Sequence, residues 1–315
     1  MKQIHLSYSK RGVAALALSV VLTLALLGQP AWSAAQGGSD ESLKKGDDLY
    51  KAGKYQDAIA AYKETLGRDP NNDQAIGNTA FAYHHLGDEA NALQWMKRRV
   101  EIPGQSPSKK AQTLTDITII CWQTAHFAIA SRLASGSSPQ DSAAAKLISE
   151  GIDSAQKAVA IAPKFVRAFN GLNLLYRASA AAESDAGKQK EWLGKADEAL
   201  RQSILLFEAG KQQQADFLAI PTISVILGAD KGAGVQLGQA TKSPTPGVLK
   251  DSKGGALAVE VFVGLDGKIR QQRVIAGEGK PAEAALAAVK QWEFGPSTFE
   301  GHPVQVIKTI SFSAK

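Results

Sequence analysis

Cysteine is almost missing from this chain: one residue, Cys121, in 315. A single thiol excludes an internal disulfide framework and any multi-cysteine zinc centre. The five histidines are scattered, which leaves a histidine-built metal site without a basis. Excess charge is scarce too. The balance is 36 − 30 = +6, but Lys2, Lys10 and Arg11 lie in an apolar leader without acidic residues. The rest carries 33 − 30 = +3, too little to argue for nucleic acid. Catalytic signatures are also lacking. Six Gly-Lys pairs occur, none followed by Ser or Thr, so there is no phosphate loop. Gly232-x-Gly234 and Gly277-x-Gly279 lack dinucleotide spacing, and neither His-Glu-x-x-His nor Gly-x-Ser-x-Gly appears. Cys121 reads as a small core residue, since nothing near it would lower its pKa. Neither an enzyme nor a cofactor is expected.

What is present is ordinary for folded protein: 44% hydrophobic and 21% charged residues, with length for roughly two domains of about 150 residues. Residues 1–36 read as an export signal. Basic residues precede an uncharged run from Gly12 to Gly28, then Pro30 and the small residues Ala31, Ser33, Ala34 and Ala35. The small-residue exit favours cleavage, between Ala34 and Gly37, and a periplasmic location. The alternative is an uncleaved inner-membrane anchor, because the run is near the lower limit for spanning a bilayer.

A repeat follows. Gly46, Leu49, Gly53 and Ala58 recur as Ala80, Tyr83, Gly87 and Ala92, each offset by 34 residues. Small residues let antiparallel helices approach, large ones fill the space between them, and Pro70 stops the second helix. Together with Tyr55 and Tyr62, this pattern resembles the tetratricopeptide repeat (TPR). A third pair is expected from 108–134 and 151–163, with Ser135 to Asp141 as an inserted loop. The β-branched run Ile117 to Trp122 is assigned to helix, because a helix is needed to cover the neighbouring unit. A fourth pair starts at Val166 and returns through Trp192 to Ile204. The resemblance implies an all-α array over 37–208 whose concave groove binds a peptide or protein. Its groove candidates are Asp47, Tyr50, Lys51, Phe81, His84, His85, Asn170 and Arg177. Adjacent His84 and His85 diverge by about 100° on a helix and make no metal site.

Residues 209–247 read as a linker with a short docked segment, the apolar island Ile220 to Leu227. The remaining 248–315 predict a small α+β unit of order β-β-α-β. Leu257, Val259, Val261 and Val263 share one side of a strand, and Asp266-Gly267 makes a tight turn. The opposite parity of Ile269 and Val274 predicts a bulge in the returning strand. Pro281 opens a helix with Ala285, Leu286 and Val289 in one stripe, and Val304, Val306, Ile310 and Phe312 alternate in a last strand. The text Asp266-Gly267-Lys268-Ile269, Ala284-Ala285-Leu286, Trp292-x-Phe294-x-Pro296 and Gly301-His302-Pro303-Val304 resembles the C-terminal domain of the TonB family. The Tyr-Pro pair and helix that the family places before its first strand are replaced by Pro246-Gly247-Val248-Leu249.

That resemblance implies a Gram-negative envelope protein that engages partners, an outer-membrane transporter among them. Three functions follow: a periplasmic adaptor, a membrane-anchored energy transducer, or a scaffold that binds only through its repeats. In a wholly antiparallel sheet of this connectivity the last strand lies beside the first and forms an edge over 303–313. Val304, Val306, Lys308 and Ile310 are the candidate capture strand for an extended peptide. Lys308, breaking the apolar alternation, is either part of that strand's selectivity or a guard against aggregation.

Overall fold

The computed structural model describes residues 41–210, 219–226, 232–244 and 256–312; the leader lies outside them. Eight helices form four antiparallel pairs: α1 (Glu41–Lys51) with α2 (Tyr55–Arg68), α3 (Asp73–His85) with α4 (Glu89–Val100), α5 (Pro107–Ala134) with α6 (Ser142–Ile161), and α7 (Val166–Ala182) with α8 (Ala186–Gly210). Among the described residues no helix is long and apolar enough to cross a membrane.

Local chemistry explains the boundaries. Asn72, Asp88, Ser106 and Asp141 each accept a hydrogen bond from the backbone N–H three residues on, starting α3, α4, α5 and α6. Gly53 and Gly87 both turn the chain at φ 73°, a left-handed conformation that strains side chains with a Cβ. Gly46 is a packing requirement, because a Cβ there would stand 2.4 Å from the Tyr62 ring. The core passes from pair to pair. Ala58, Tyr62 and Leu66 meet Ala75 and Ile76; Ala80, Ala92 and Met96 meet Ile117, Ile120 and Cys121. Burial pushes the Cys121 thiol up to about 12, which makes it inert at neutral pH. The run Ile117 to Trp122 is helical, since five of its six side chains are buried in contacts that a strand could not make here.

The C-terminal unit contains β4 (Leu257–Val263), β5 (Ile269–Ala276), α9 (Gly279–Val289) and the long β8 (His302–Phe312). Strand β8 runs antiparallel to β4, so these three strands are ordered β5-β4-β8. The β4–β5 register shifts between Ala258 and Val259 and again between Phe262 and Val263, the irregularity read from parity. Helix α9 covers one face, packing Ala282, Ala285 and Val289 on Leu257, Val259, Val261 and Val263.

Two expectations need correction. The linker is more folded than expected: the apolar island does dock, as β1 (Thr222–Val225) on β8, but β2 (Val235–Gln236) and β3 (Ala240–Lys242) also join strands, β7 (Ser297–Phe299) and β6 (Glu293–Phe294), respectively. The β8 edge is also not open. β7 pairs with His302–Val304, and β1 runs parallel along Gln305–Lys308. The physical reason is that Ile223 and Val225 are apolar enough to complete a core with Leu200, Ile204, Phe299 and Val304.

The second face of the sheet rests on the helical array. Ala258, Ile275 and Ile307 pack against Trp122, Ala125, Ile129, Leu174, Leu175 and Ala178 of α5 and α7. Each large aliphatic side chain buried this way contributes about 1.5–3 kcal/mol, so the module is seated firmly on the last two pairs.

Candidate functional site

Helix α7 carries Asn170, Asn173 and Arg177 at helical spacing, so they form one stripe. Their exposures are 0%, 0% and 4%. Such a stripe is costly unless every polar group finds a partner, and the partner here is extended main chain. Asn170 donates to the Ile220 carbonyl at 2.9 Å and accepts from the Thr222 N–H at 3.0 Å. Asn173 donates to the Thr222 carbonyl at 2.6 Å. Behind them, Arg177 donates to Asn173 at 2.8 Å and to Asp197 at 2.6 Å. Burial raises the Asp197 carboxyl even with that guanidinium beside it.

The other side of the same segment meets β8. The Gln305 N–H donates to the Pro221 carbonyl at 3.0 Å, and the parallel ladder continues to Val225 opposite Lys308. Main-chain groups alternate along a strand. Those of Thr222 therefore face α7, and those of Pro221, Ile223 and Val225 face β8. Likewise Gln305 and Ile307 direct their N–H groups to β1, while Val306 and Lys308 direct theirs to β4.

A buried ionic cluster joins the two modules. Glu260, alone among the apolar residues of β4, accepts from Arg273 at 2.7 Å and pairs with His126 of α5. On the imidazole's other side, Ser224 Oγ lies 3.3 Å from Nδ1. Burial alone would raise the Glu260 carboxyl, but Arg273 and then His126 outweigh it and hold it down at about 2. A serine, histidine and carboxylate in line have the order of a hydrolytic relay. With exposures of 6%, 1% and 7%, however, no substrate carbonyl reaches this hydroxyl. The cluster is a fastener.

The remaining groove candidates occupy the first two pairs. Asp47 accepts from Tyr62 at 3.0 Å, Gln74 at 3.0 Å and Asn78 at 2.7 Å. Tyr50 stands edge-on to both Tyr55 and His85, and Tyr55 stacks on His85 at 4.6 Å. Burial there, then the neighbouring His84, pushes His85 down to about 4. His84 bridges Glu89 at 2.8 Å and Gln123 at 3.0 Å. Lys51 is exposed, and Phe81 is half-buried against the core. The eight candidates thus divide: six stay with the first two pairs, Asn170 holds the segment of β1, and Arg177 backs it from within the α7–α8 pair through Asn173 and Asp197.

On β8, Val304 is buried in the core that contains Ile223 and Phe299, Val306 is buried, and Ile310 packs beside the α9 core. Lys308 does not guard an edge. Its Nζ sits 3.5 Å from the Phe294 ring centroid and 3.5 Å from the Gly238 carbonyl, and burial pushes it down to about 8. Sequence reasoning missed Asn173, His126, Ser224 and Glu260. The first had a signal in its spacing from Asn170 and Arg177, and Glu260 had one as the only charge in Leu257–Val263. Ser224 and His126 had none, because only the docking of the modules brings them together.

Comparisons with known proteins agree with this division. Residues 43–107 match the tetratricopeptide repeat, and residues 249–314 match the Gram-negative bacterial TonB protein C-terminal domain. The chain is 35% identical over 63 residues to Hsp70-Hsp90 organizing protein 2 of Arabidopsis thaliana, covering 20% of this chain and 11% of that one. It is 44% identical over 48 residues to Hsp70-Hsp90 organizing protein 1 of the same plant, covering 15% and 8%. It therefore spans only about a tenth of the length of these curated relatives. Among solved structures, a MamA protein matches at 20% identity and TM-score 0.35, over 55% of this chain and 84% of that one. A thermophilic TPR protein of Thermus thermophilus matches at 16% identity and TM-score 0.33, over 54% and 81%. The chain thus carries tetratricopeptide repeats within residues 43–107 and a TonB-type C-terminal domain over residues 249–314, both modules of protein–protein interaction.

Proposed function

We propose that this protein is a periplasmic adaptor of the Gram-negative envelope, in which the TonB-like module captures an extended segment of a partner on β8. A transporter of the outer membrane is the partner class that the TonB resemblance favours. The observation that supports this reading is the β1–β8 ladder: residues Gln305–Lys308 already accept an added strand in parallel register. Edge addition of this kind draws affinity from main-chain bonds and selectivity from alternate side chains. The first two helix pairs, with Asp47, Tyr50 and His85, offer a second surface for the same or another partner.

The test is a fluorescence anisotropy titration of the full chain with periplasm-facing peptides of outer-membrane transporters. Ile307→Pro removes an N–H that faces β1 and leaves the β4 ladder its bonds. Saturable binding that this substitution abolishes is the expected result. Binding that is undiminished in folded Ile307→Pro protein overturns capture on β8, and no binding by any peptide overturns the envelope reading.

A further inference from the structure

We propose that the slot between α7 and the β8 edge is a displaceable peptide-binding site, and that residues 219–226 of the chain fill it as a built-in competitor. The inference rests on the reading of β8 as the capture strand, and it adds the site's second wall, its ligand chemistry and its regulation.

The second wall is the asparagine pair. Asn170 and Asn173 bond main-chain atoms of the segment: the Ile220 carbonyl, the Thr222 N–H and the Thr222 carbonyl. Bonds of this type are indifferent to side-chain identity, so the grip suits any extended backbone. With β8 holding the alternate main-chain groups, an occupant is bonded on both edges, as an interior strand is. The slot belongs to neither module alone, because α7 is part of the repeat array and β8 is part of the terminal sheet.

Selectivity comes from the side chains. Ile223 and Val225 enter the core beside Leu200 and Phe299, whereas Ser224 points to His126. The occupant that fits is an extended segment running parallel to β8, with β-branched or aliphatic residues at two alternate positions and a small hydroxyl residue between them. The chain's own copy has the strand contact of only four residues, Thr222–Val225, and parallel pairing is slightly weaker per residue than antiparallel. Being tethered, it competes at high effective concentration, which sets a threshold for any partner.

The test uses a fluorescent synthetic peptide with the sequence of residues 219–226 and the full chain carrying Ile223→Pro. The substitution removes an N–H that faces β8 and a side chain that fills the core, vacating the slot. The peptide should bind this variant at least tenfold more tightly than it binds the parent. A peptide carrying the same proline should not bind, and adding Asn173→Ala should weaken binding at least tenfold. Equal binding to both chains, or none to the folded variant, overturns the proposal. Should Ile223→Pro fail to fold, hydrogen exchange on the parent decides. Amides of β1 should open at a lower free energy than those of β4 and β8, and opening only together with them overturns the proposal. Transporter peptides that bind parent and variant equally would leave capture standing without displacement. Failure of those peptides alone would leave the slot standing without the envelope reading.

Discussion

The first two helix pairs and the last two are all antiparallel pairs but meet different surroundings. In 41–100 the four helices are 11 to 14 residues long, and the 34-residue spacing holds. In 107–210 they lengthen to between 17 and 28 residues, and the spacing is lost. The first half packs only on its own kind. The second half packs on a sheet, so α5 and α7 spend their groove-facing residues on β1, β4 and β8. Repeat regularity survives where a helix meets another repeat, and it decays where a helix meets something else.

The strongest way to break this comparison is to remove a carboxylate where the second half meets the sheet and another within the first half. Glu260→Ala leaves the buried His126 and the half-buried Arg273 without their carboxylate, and should cost about 3–5 kcal/mol in urea unfolding followed by tryptophan fluorescence. Asp47→Ala, at a half-exposed site in the first half, should cost about 1–3 kcal/mol. A reversed order would show that the modules are not fastened by the Glu260 cluster.

Overpacking comes next. Ala58 and Ala92 are fully buried at helix–helix contacts. A phenylalanine at either position should cost about 1–3 kcal/mol in thermal or urea unfolding. Unchanged melting in both variants would overturn the assignment of these residues to the repeat's contact positions.

Acid should separate the halves in sequence. His85 is held down at about 4 by burial and by His84, so its contribution is complete above the unfolded value of about 6.5 and lost as pH falls toward 4. Glu260 is held down at about 2, so its contribution is complete above about 4.3 and lost only as pH falls toward 2. Hydrogen exchange compared between about pH 7 and about pH 5, corrected for intrinsic rates, should show α1 to α3 loosening while β4 and β8 stay protected. Loosening of β4 first would contradict this order.

The smallest effect is expected in the β7–β8 turn. Glu300 holds φ at 51° and precedes Gly301 at 87°, a pattern for which Asn-Gly is the favoured pair. Its exposed contact with Arg201 contributes little. Glu300→Asn should leave the melting temperature unchanged or slightly raised in calorimetry. A clear fall would mean that the Arg201 contact clamps α8 to the hairpin.

Much of the architecture was legible because it depends on near neighbours. The helix pairs follow from the 34-residue spacing and the small residues Gly46, Ala58 and Ala92; the hairpin from Asp266-Gly267; the bulge from the opposite parity of Ile269 and Val274. The site was only half legible. Asn170 and Arg177 were selected for the face they occupy, yet what they face could not be read. Expecting Lys308 at an edge failed because β1, from far upstream in the chain, pairs along it.

The sequence by itself determined the paired helices, the hairpin of β4 and β5, helix α9 and β8, which of their faces are apolar, and the order β5-β4-β8, since capping, periodicity and hairpin connectivity act over a few residues. Only the tertiary structure decided that Thr222–Val225 lies along β8, that Asn170 and Asn173 hold its backbone, and that Glu260 pairs with His126 across 134 positions. Contacts at such separation arise when two finished surfaces match in shape and polarity. No local spacing encodes that match, because each surface is assembled from several segments and exists only after they have folded.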